Sequence, residues 1–194
     1  MISALSNWIV QGYLSPRQSI RPLLGQGHNG LDVALLLLAL GYLISAILEL
    51  VFVGSGSDDG SRFTFHLIRA IMQIVGFLML SGLIFWIGRA AGGAATLGDA
   101  QMVVAWHSVV TSILSPVMLG AMGSIAIDPE DPSQMPEISG LATMILMGCG
   151  GYMAWLLANY VAEAHRFTSA WRVLAVMLAV PMGAAFLMSL LASG

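Results

Sequence analysis

The chain of 194 residues is 58% hydrophobic and only 9% charged, whereas soluble domains carry about 45 to 50% apolar and about 25% charged residues, which excludes an ordinary water-soluble globule. Its seven basic residues are all arginine and the formal charge is −3, so neither a nucleic-acid surface nor a polybasic lipid-binding tail is available. The single Cys149 lies in an apolar stretch, which excludes an intrachain disulfide or a cysteine metal cluster and reads as a buried, inert thiol.

The opening MISALSNWIVQGYL lacks the positive n-region and cleavage site of a secretory signal, and Ile2, Leu5, Trp8 and Ile9 recur at helical spacing. In the following SPRQSIRPLLGQG, Ser15 is placed to cap a helix, Pro16 to begin it and Pro22 to end it, with Arg17 and Arg21 four apart on one face. Trp8 and Tyr13 suit the headgroup layer and the two arginines can snorkel to phosphates. Residues 1–30 therefore read as an amphipathic interfacial segment contacting lipid through Trp8, Tyr13, Arg17 and Arg21; a partner-docking surface is the sharper alternative.

Crossing a bilayer takes about 20 mostly apolar residues in a helix. Five stretches qualify: Leu31 to Val53, His66 to Ile87, Met102 to Ile127, Ile138 to Ala162 and Trp171 to Ala192. The fold class expected for 31–194 is all-α, a polytopic integral membrane protein with a five-helix bundle. The connections GSGSDDGSRFTF, GRAAGGAATLGDA, DPEDPSQMPE and EAHRFTSA are rich in helix-stopping and turn residues, and they leave no room for a soluble domain. No internal repeat indicates two inverted halves. Arg17, Arg21, Arg89, Arg166 and Arg172 fall on one side of this topology and Arg62 and Arg69 on the other. That bias predicts a cytoplasmic N-terminus and an outward C-terminus.

Charges near the apolar zone usually pair or line a cavity. Counting residues from the span ends matches Glu49 with Arg69 near the outer face, and Asp32 with Arg89 and Glu163 with Arg172 near the inner face. These are expected as ion-pair staples, against the sharper reading of Glu49 as a proton or cation site. The third span carries a polar seam, His107, Ser108, Thr111, Ser112 and Ser115, ended by Pro116. At about 100° per residue these positions point one way, towards other helices. Pro116 frees the carbonyl of Ser112, which gives nearby hydroxyls a local task.

Chemistry is weakly signalled. His107 and Ser108 are adjacent and splay apart with no carboxylate to orient the imidazole, so no catalytic residue is assigned. DPEDPSQMPE lacks calcium-loop spacing and GRAAGGAATLG lacks the GK[ST] ending of a nucleotide loop, so no metal or cofactor is expected. Small residues at Ala175, Ala179 and Gly183, the Gly88–Gly92 pair and the glycines of GCGGYMAWLLANY point to close helix packing within the chain, with self-association as the alternative. Pro181 should kink the last span.

The segments SPRQSIRPLL, GRAAGGAATLGDAQMVVAWHSVVTSILSP and YVAEAHRFTSAWRVLAVML together resemble the Yip-domain family of five-span membrane proteins, named for interaction with small Ypt/Rab GTPases, in a short bacterial-type form. Gly92, Gly93 and Thr96 match its glycine-rich turn, Pro116 the proline closing its third-span motif, and His165, Ser169 and Arg172 its fourth connection. The resemblance implies a cytosolic N-terminus, an outward C-terminus, and a role in membrane organisation or trafficking without enzymatic activity. The long cytosolic region through which larger members engage partners has no counterpart in this sequence, so GTPase binding is not carried over. The expected function is a non-enzymatic scaffold, membrane-organising protein or accessory subunit of a membrane complex. Its expected partners are membrane lipids and another membrane protein, with a homo-oligomer as an alternative and no nucleic acid. The alternative function is a small-solute or ion conduit along the polar seam.

Overall fold

The computed structural model describes residues 2–25, 30–52, 59–123 and 139–193, and every regular element among them is helical. The N-terminal segment forms α1 (Ile2–Leu14), α2 (Pro16–Ile20) and a 3-10 turn (Arg21–Leu23), followed by α3 (Gly30–Phe52), α4 (Asp59–Ala90), α5 (Leu97–Ser112), α6 (Ser115–Gly123), α7 (Gly140–Ala164) and α8 (Ala170–Ser193). Gly30–Phe52, His66–Ala90 and Gly140–Ala164 are each long and apolar enough to cross a bilayer. The α5–α6 pair makes a fourth if counted as one span, and α8 adds the apolar stretch Ala170–Val180. The protein is thus an all-α integral membrane protein. Val53, Asp58, Ile127, Ile138 and the whole of DPEDPSQMPE lie outside the described residues.

The third expected span is two helices rather than one continuous rod, with a 65° bend between Leu97–Ser112 and Ser115–Met122. Pro116 has no N–H to offer the Ser112 carbonyl, so the ladder fails there and restarts with the Met118 amide donating to the Leu114 carbonyl at 3.1 Å. At the other end of α5, Thr96 and Asp99 form a capping box: Thr96 Oγ1 accepts from the Asp99 amide at 3.1 Å and Asp99 Oδ2 from the Thr96 amide at 2.9 Å. Ser139 caps α7 by accepting from the Ala142 amide at 3.1 Å. Ser15 occupies the N-cap of α2 but makes no side-chain cap bond; Pro16 follows it in the first turn. Pro181 lies within α8, which runs on to Ser193.

The centre of the bundle is α5. Helix α3 runs parallel to it along a buried stripe of Gly30, Ala34, Leu38, Gly41 and Ser45. Contact is closest at Gly41, where a Cβ would lie 2.9 Å from Ser108 Oγ and 3.0 Å from the Val109 nitrogen. The largest fully buried side chains, Trp106 and Tyr160, stand on α5 and α7, and Met102 through Trp106 are buried without interruption. Leu36, Met79, Trp86, Met144, Met147 and Met182 are among the large apolar side chains turned outwards, as lipid-facing positions require.

Close approach occurs at other glycines than composition suggests. Gly148, Gly150, Gly151 and Gly183 have open space where a Cβ would stand, so the expected close packing within the chain is not made there. Gly12, Gly41, Gly88 and Gly93 are the crowded positions. Of the expected Gly88–Gly92 pair, Gly88 receives a histidine ring, while Gly92 meets nothing and supplies a turn with φ of +82°.

Candidate functional site

The polar seam of α5 and α6 opens onto a cavity of 550 Å³ whose walls include Glu49, Arg69, Gln73 and Ser45 together with all five seam residues. An arginine–glutamate pair anchors the cavity: Arg69 Nη1 donates to Glu49 Oε2, and its second Nη donates to Ser45 Oγ at 2.9 Å. Ser45 passes its own proton to Glu49 Oε1 at 2.9 Å and touches the Ser115 hydroxyl at 3.1 Å. Glu49 is therefore held by both of its oxygens, the carboxylate ties α3 to α4, and Ser45 extends the network to Ser115 of α6. Tyr42 stands under the same guanidinium, 5.8 Å from ring centroid to Arg69 Cζ, and donates its phenol to the His66 carbonyl at 2.9 Å.

The seam residues share this cavity but do not share partners. His107 Nε2 donates to the Met153 carbonyl of α7 at 3.0 Å; a carbonyl can only accept, so the neutral ring carries its proton on Nε2. Ser108 accepts from Gln73 Nε2 of α4 at 3.3 Å. Thr111 and Ser112 bond back to their own helix, to the carbonyls of His107 and Val109, both at 2.7 Å. Ser108 thus meets neither the imidazole nor any other base in hydrogen-bond contact, and among the described residues no three metal-ligating side chains converge. The cavity is a hydrogen-bonded joint between helices.

At the opposite end of α5 the N-terminal segment folds back as a hairpin against α5 and α7. Gly25 donates its amide to Asp99 Oδ1 at 2.9 Å, Trp106 donates to Ser19 Oγ at 3.2 Å, and Tyr13 donates to the Val110 carbonyl. Between Asp99 and Val110 α5 rises about 16 Å at 1.5 Å per residue, so the hairpin follows α5 over about that length. Trp8 donates to the Ser19 carbonyl at 2.8 Å and packs on Trp106 with centroids 4.6 Å apart. Tyr160 reaches the Gly12 carbonyl at 2.9 Å, and Tyr152 reaches that of Tyr13 at 3.1 Å. Trp8, Tyr13, Tyr152 and Tyr160 each satisfy a backbone carbonyl that lipid could not.

The arginines of this segment follow the same logic. Arg17 donates to the Phe167 and Thr168 carbonyls at 3.3 Å each, and Arg21 pairs with Glu163 at 2.5 Å. The expected Glu163–Arg172 staple is thereby replaced, because the docked hairpin brings Arg21 to the end of α7. Asp32 and Arg89 are both exposed, and the expected staple between them is not among the ion pairs formed by Arg21 with Glu163 and Arg69 with Glu49.

His165, matched in the sequence only through the family's fourth connection, is a buried polar side chain at this end. It caps α7, is 2% exposed, and lies flat on Phe167 with centroids 5.4 Å apart and planes 11° apart. Two glycines make its cradle: a Cβ on Gly88 would lie 2.1 Å from Cε1, and one on Gly93 2.2 Å from Nδ1. The turn between α4 and α5 closes over it, with the Ala94 amide donating to the His165 carbonyl at 3.3 Å. Neither ring nitrogen finds a partner in hydrogen-bond geometry, and burial holds the imidazole below its ordinary value, which keeps it neutral. The signal in the sequence was the GRAAGG turn itself, which needs a reason for glycine at two positions where φ is not positive.

The three segments quoted for the family resemblance thus meet in space: the SPRQSIRPLL strap, the glycine turn and the His165 connection join at one end of the bundle. No curated protein and no solved structure matches the chain. The model of the family described as the Yip1 domain matches residues 12–191, nearly the whole chain from the hairpin to the end of α8, and the protein therefore belongs to the Yip1 domain family.

Proposed function

We propose that this protein is a non-enzymatic scaffold or accessory subunit of the bacterial inner membrane, crossing five times with its N-terminus in the cytoplasm and its C-terminus outside. Helix α8 supplies the fifth crossing, since 24 residues rise about 36 Å at 1.5 Å each, more than the ~30 Å needed. The orientation follows from Arg17, Arg21, Arg89, Arg166 and Arg172, which belong to the hairpin, the α4–α5 junction and the α7–α8 junction. The observation that carries the reading is the docked hairpin: an ordered polar surface, with Gln18, Arg21, Pro22 and Arg166 exposed, is built on a membrane bundle whose polar side chains are engaged with one another. Its partners on this reading are inner-leaflet lipid and a second membrane protein, a further copy of this chain included, with no nucleic acid.

Photo-crosslinking side chains placed at Gln18 and Arg166 in intact membranes test it. A single recurring protein adduct from both positions is expected; adducts to lipid alone would overturn the scaffold. A solute conduit has one observation in its favour, the 550 Å³ cavity beside Glu49 and Arg69. Against it, Met102 to Trp106 of α5 are all buried in the packed core and the polar groups of the cavity bond to one another or to backbone. Ion or solute flux in proteoliposomes that disappears in Glu49→Gln, with melting unchanged, would reverse this ranking.

A further inference from the structure

A second depression lies further along the same face of α4 and shares Leu80 with the first. The face of α4 from Leu80 to Ala91 and that of α8 from Arg172 to Val180 enclose a groove of 440 Å³, floored by Val161 of α7. Its polarity is one-ended. Leu83, Ile84, Ile87, Val173, Val176, Met177 and Val180 line its length, while Thr168, Ser169 and Arg172 gather at its mouth, where α8 begins.

Three features fix the chemistry of an occupant. The stretch Leu80–Ala91 rises about 16 Å at 1.5 Å per residue, which matches one leaflet of a ~30 Å hydrocarbon core and no more. The mouth carries an uncompensated positive charge: Arg172 is exposed and has no carboxylate partner among the described residues, because the acid at the end of α7, Glu163, is taken by Arg21. Beside it the Ser169 hydroxyl accepts from the Arg172 amide at 3.4 Å and keeps its own proton to donate, and the first turn of the 24-residue α8 presents its positive end. An apolar slot one leaflet deep with a cation and a hydroxyl donor at the aqueous end is complementary to one chain and the phosphate of an anionic phospholipid. A peptide helix would leave the mouth charge unmatched and would not stop at mid-membrane.

We infer that the α4–α8 groove binds one anionic phospholipid, its phosphate on Arg172 with Thr168 and Ser169 and its acyl chain between Leu80 and Val180. The site rests on the α8 mouth meeting a membrane surface and is independent of the scaffold role, so the crosslinking experiment and the one below can fail separately.

The test is native mass spectrometry of the full chain in a mild non-ionic detergent, titrated with phosphatidylglycerol and with phosphatidylcholine of identical chains. Phosphatidylglycerol is expected to bind as a single copy, and Arg172→Ala to weaken it about fivefold, the effect of one arginine at an anionic surface, leaving phosphatidylcholine unchanged; Arg172→Lys should retain most of the preference. Val176→Trp and Val180→Phe fill the slot at positions 47% and 43% exposed, where the fold tolerates bulk, and each should lower retention of both lipids. Phosphatidylglycerol retention equal to wild type in Arg172→Ala, or retention of both lipids unchanged in the two slot-filling variants at normal melting temperature, would sink the assignment. Displacement of the lipid by inorganic phosphate alone would also overturn it, since the chain would then contribute nothing.

Discussion

The two halves of α5 are held by different physics. Towards its start, Trp106 is enclosed by Trp8 and Ser19, Tyr160 closes on Gly12, and His165 fits between Gly88 and Gly93 with no room for one more carbon. Towards its end, the same helix and its continuation α6 stand around a 550 Å³ cavity bridged by Glu49, Arg69, Ser45, Gln73 and the seam hydroxyls. Lipid gives helices no hydrophobic reason to associate, so a membrane bundle relies on shape complementarity or on polar bonds. This protein uses the first where the hairpin docks and the second where α5 breaks. The halves should therefore respond differently to the same kind of lesion: added volume harms the hairpin end, and lost polarity harms the cavity end.

The largest effect is expected from volume at the tight end. Gly88→Ala places a methyl group inside the ring of a buried histidine and should cost about 2 to 3 kcal/mol, the upper range for overpacking. The double variant Gly88→Ala/His165→Ala should recover part of that loss in a thermal or denaturant unfolding series, since the clash is between these two residues. Ala at the open Gly150 or Gly183 serves as the control and should be neutral or slightly stabilising. Equal losses at Gly88 and Gly150 would erase the distinction between the halves.

Next comes polarity at the loose end. Glu49→Gln keeps the volume and removes the charge that Arg69 and Ser45 share. With side chains 13% and 31% exposed the pair sits between surface and interior, so a loss of about 1 to 2 kcal/mol is expected, more than for a surface pair and less than for a sealed one. The same substitution should leave protease protection of residues 2–25 untouched. Conversely, Tyr160→Phe removes the donor to the buried Gly12 carbonyl, worth about 1 kcal/mol, and limited proteolysis should show the N-terminal hairpin released while the Glu49–Arg69 joint persists.

These contrasts also explain what the sequence made legible. Three long apolar helices depend on residues within a few positions of one another, and local rules capture them. The same rules show that Pro116 frees the Ser112 carbonyl, yet the expected third span runs unbroken past it and misses the Thr96–Asp99 start of α5. The docking of the hairpin is a different matter. An indole or phenol proton needs an acceptor whether that is a headgroup or the Val110 carbonyl, so Trp8 and Tyr13 look alike in either role until the partner is seen. The same holds for Glu163, whose partner Arg21 comes from the far end of the chain, and for Gly41, which looks like any small residue in a leucine-rich span but carries the α3–α5 contact. Spacing reveals which way a side chain points and leaves open what it meets.

A pH scan separates the halves in another way. Burial depresses the His165 imidazole first of all, the Ile84 carbonyl and Asp99 oppose that, and Arg89 reinforces it. The unfolded chain takes up a proton below about pH 6.5, where the folded ring resists it, so stability at the hairpin end is complete above that value and declines as the pH falls beneath it. The melting temperature should drop between pH 7.5 and pH 5 in the wild type and drop less in His165→Phe. An identical pH response in the two proteins would mean that another group carries it.

The smallest expected change lies beside the same ring and has the opposite sign. Arg166 has a φ of +60°, the one non-glycine residue in the left-handed region among those described, and it ends α7 so that the Phe167 amide can donate back to the Ala162 carbonyl at 2.7 Å. A glycine at this position after a helix avoids the Cβ clash, which for an L-residue costs about 1 to 2 kcal/mol, although it also gains freedom in the unfolded chain. Arg166→Gly should therefore stabilise by at most about 1 kcal/mol. A loss instead of a gain would mean that the exposed arginine contributes more to the fold than its backbone strain removes.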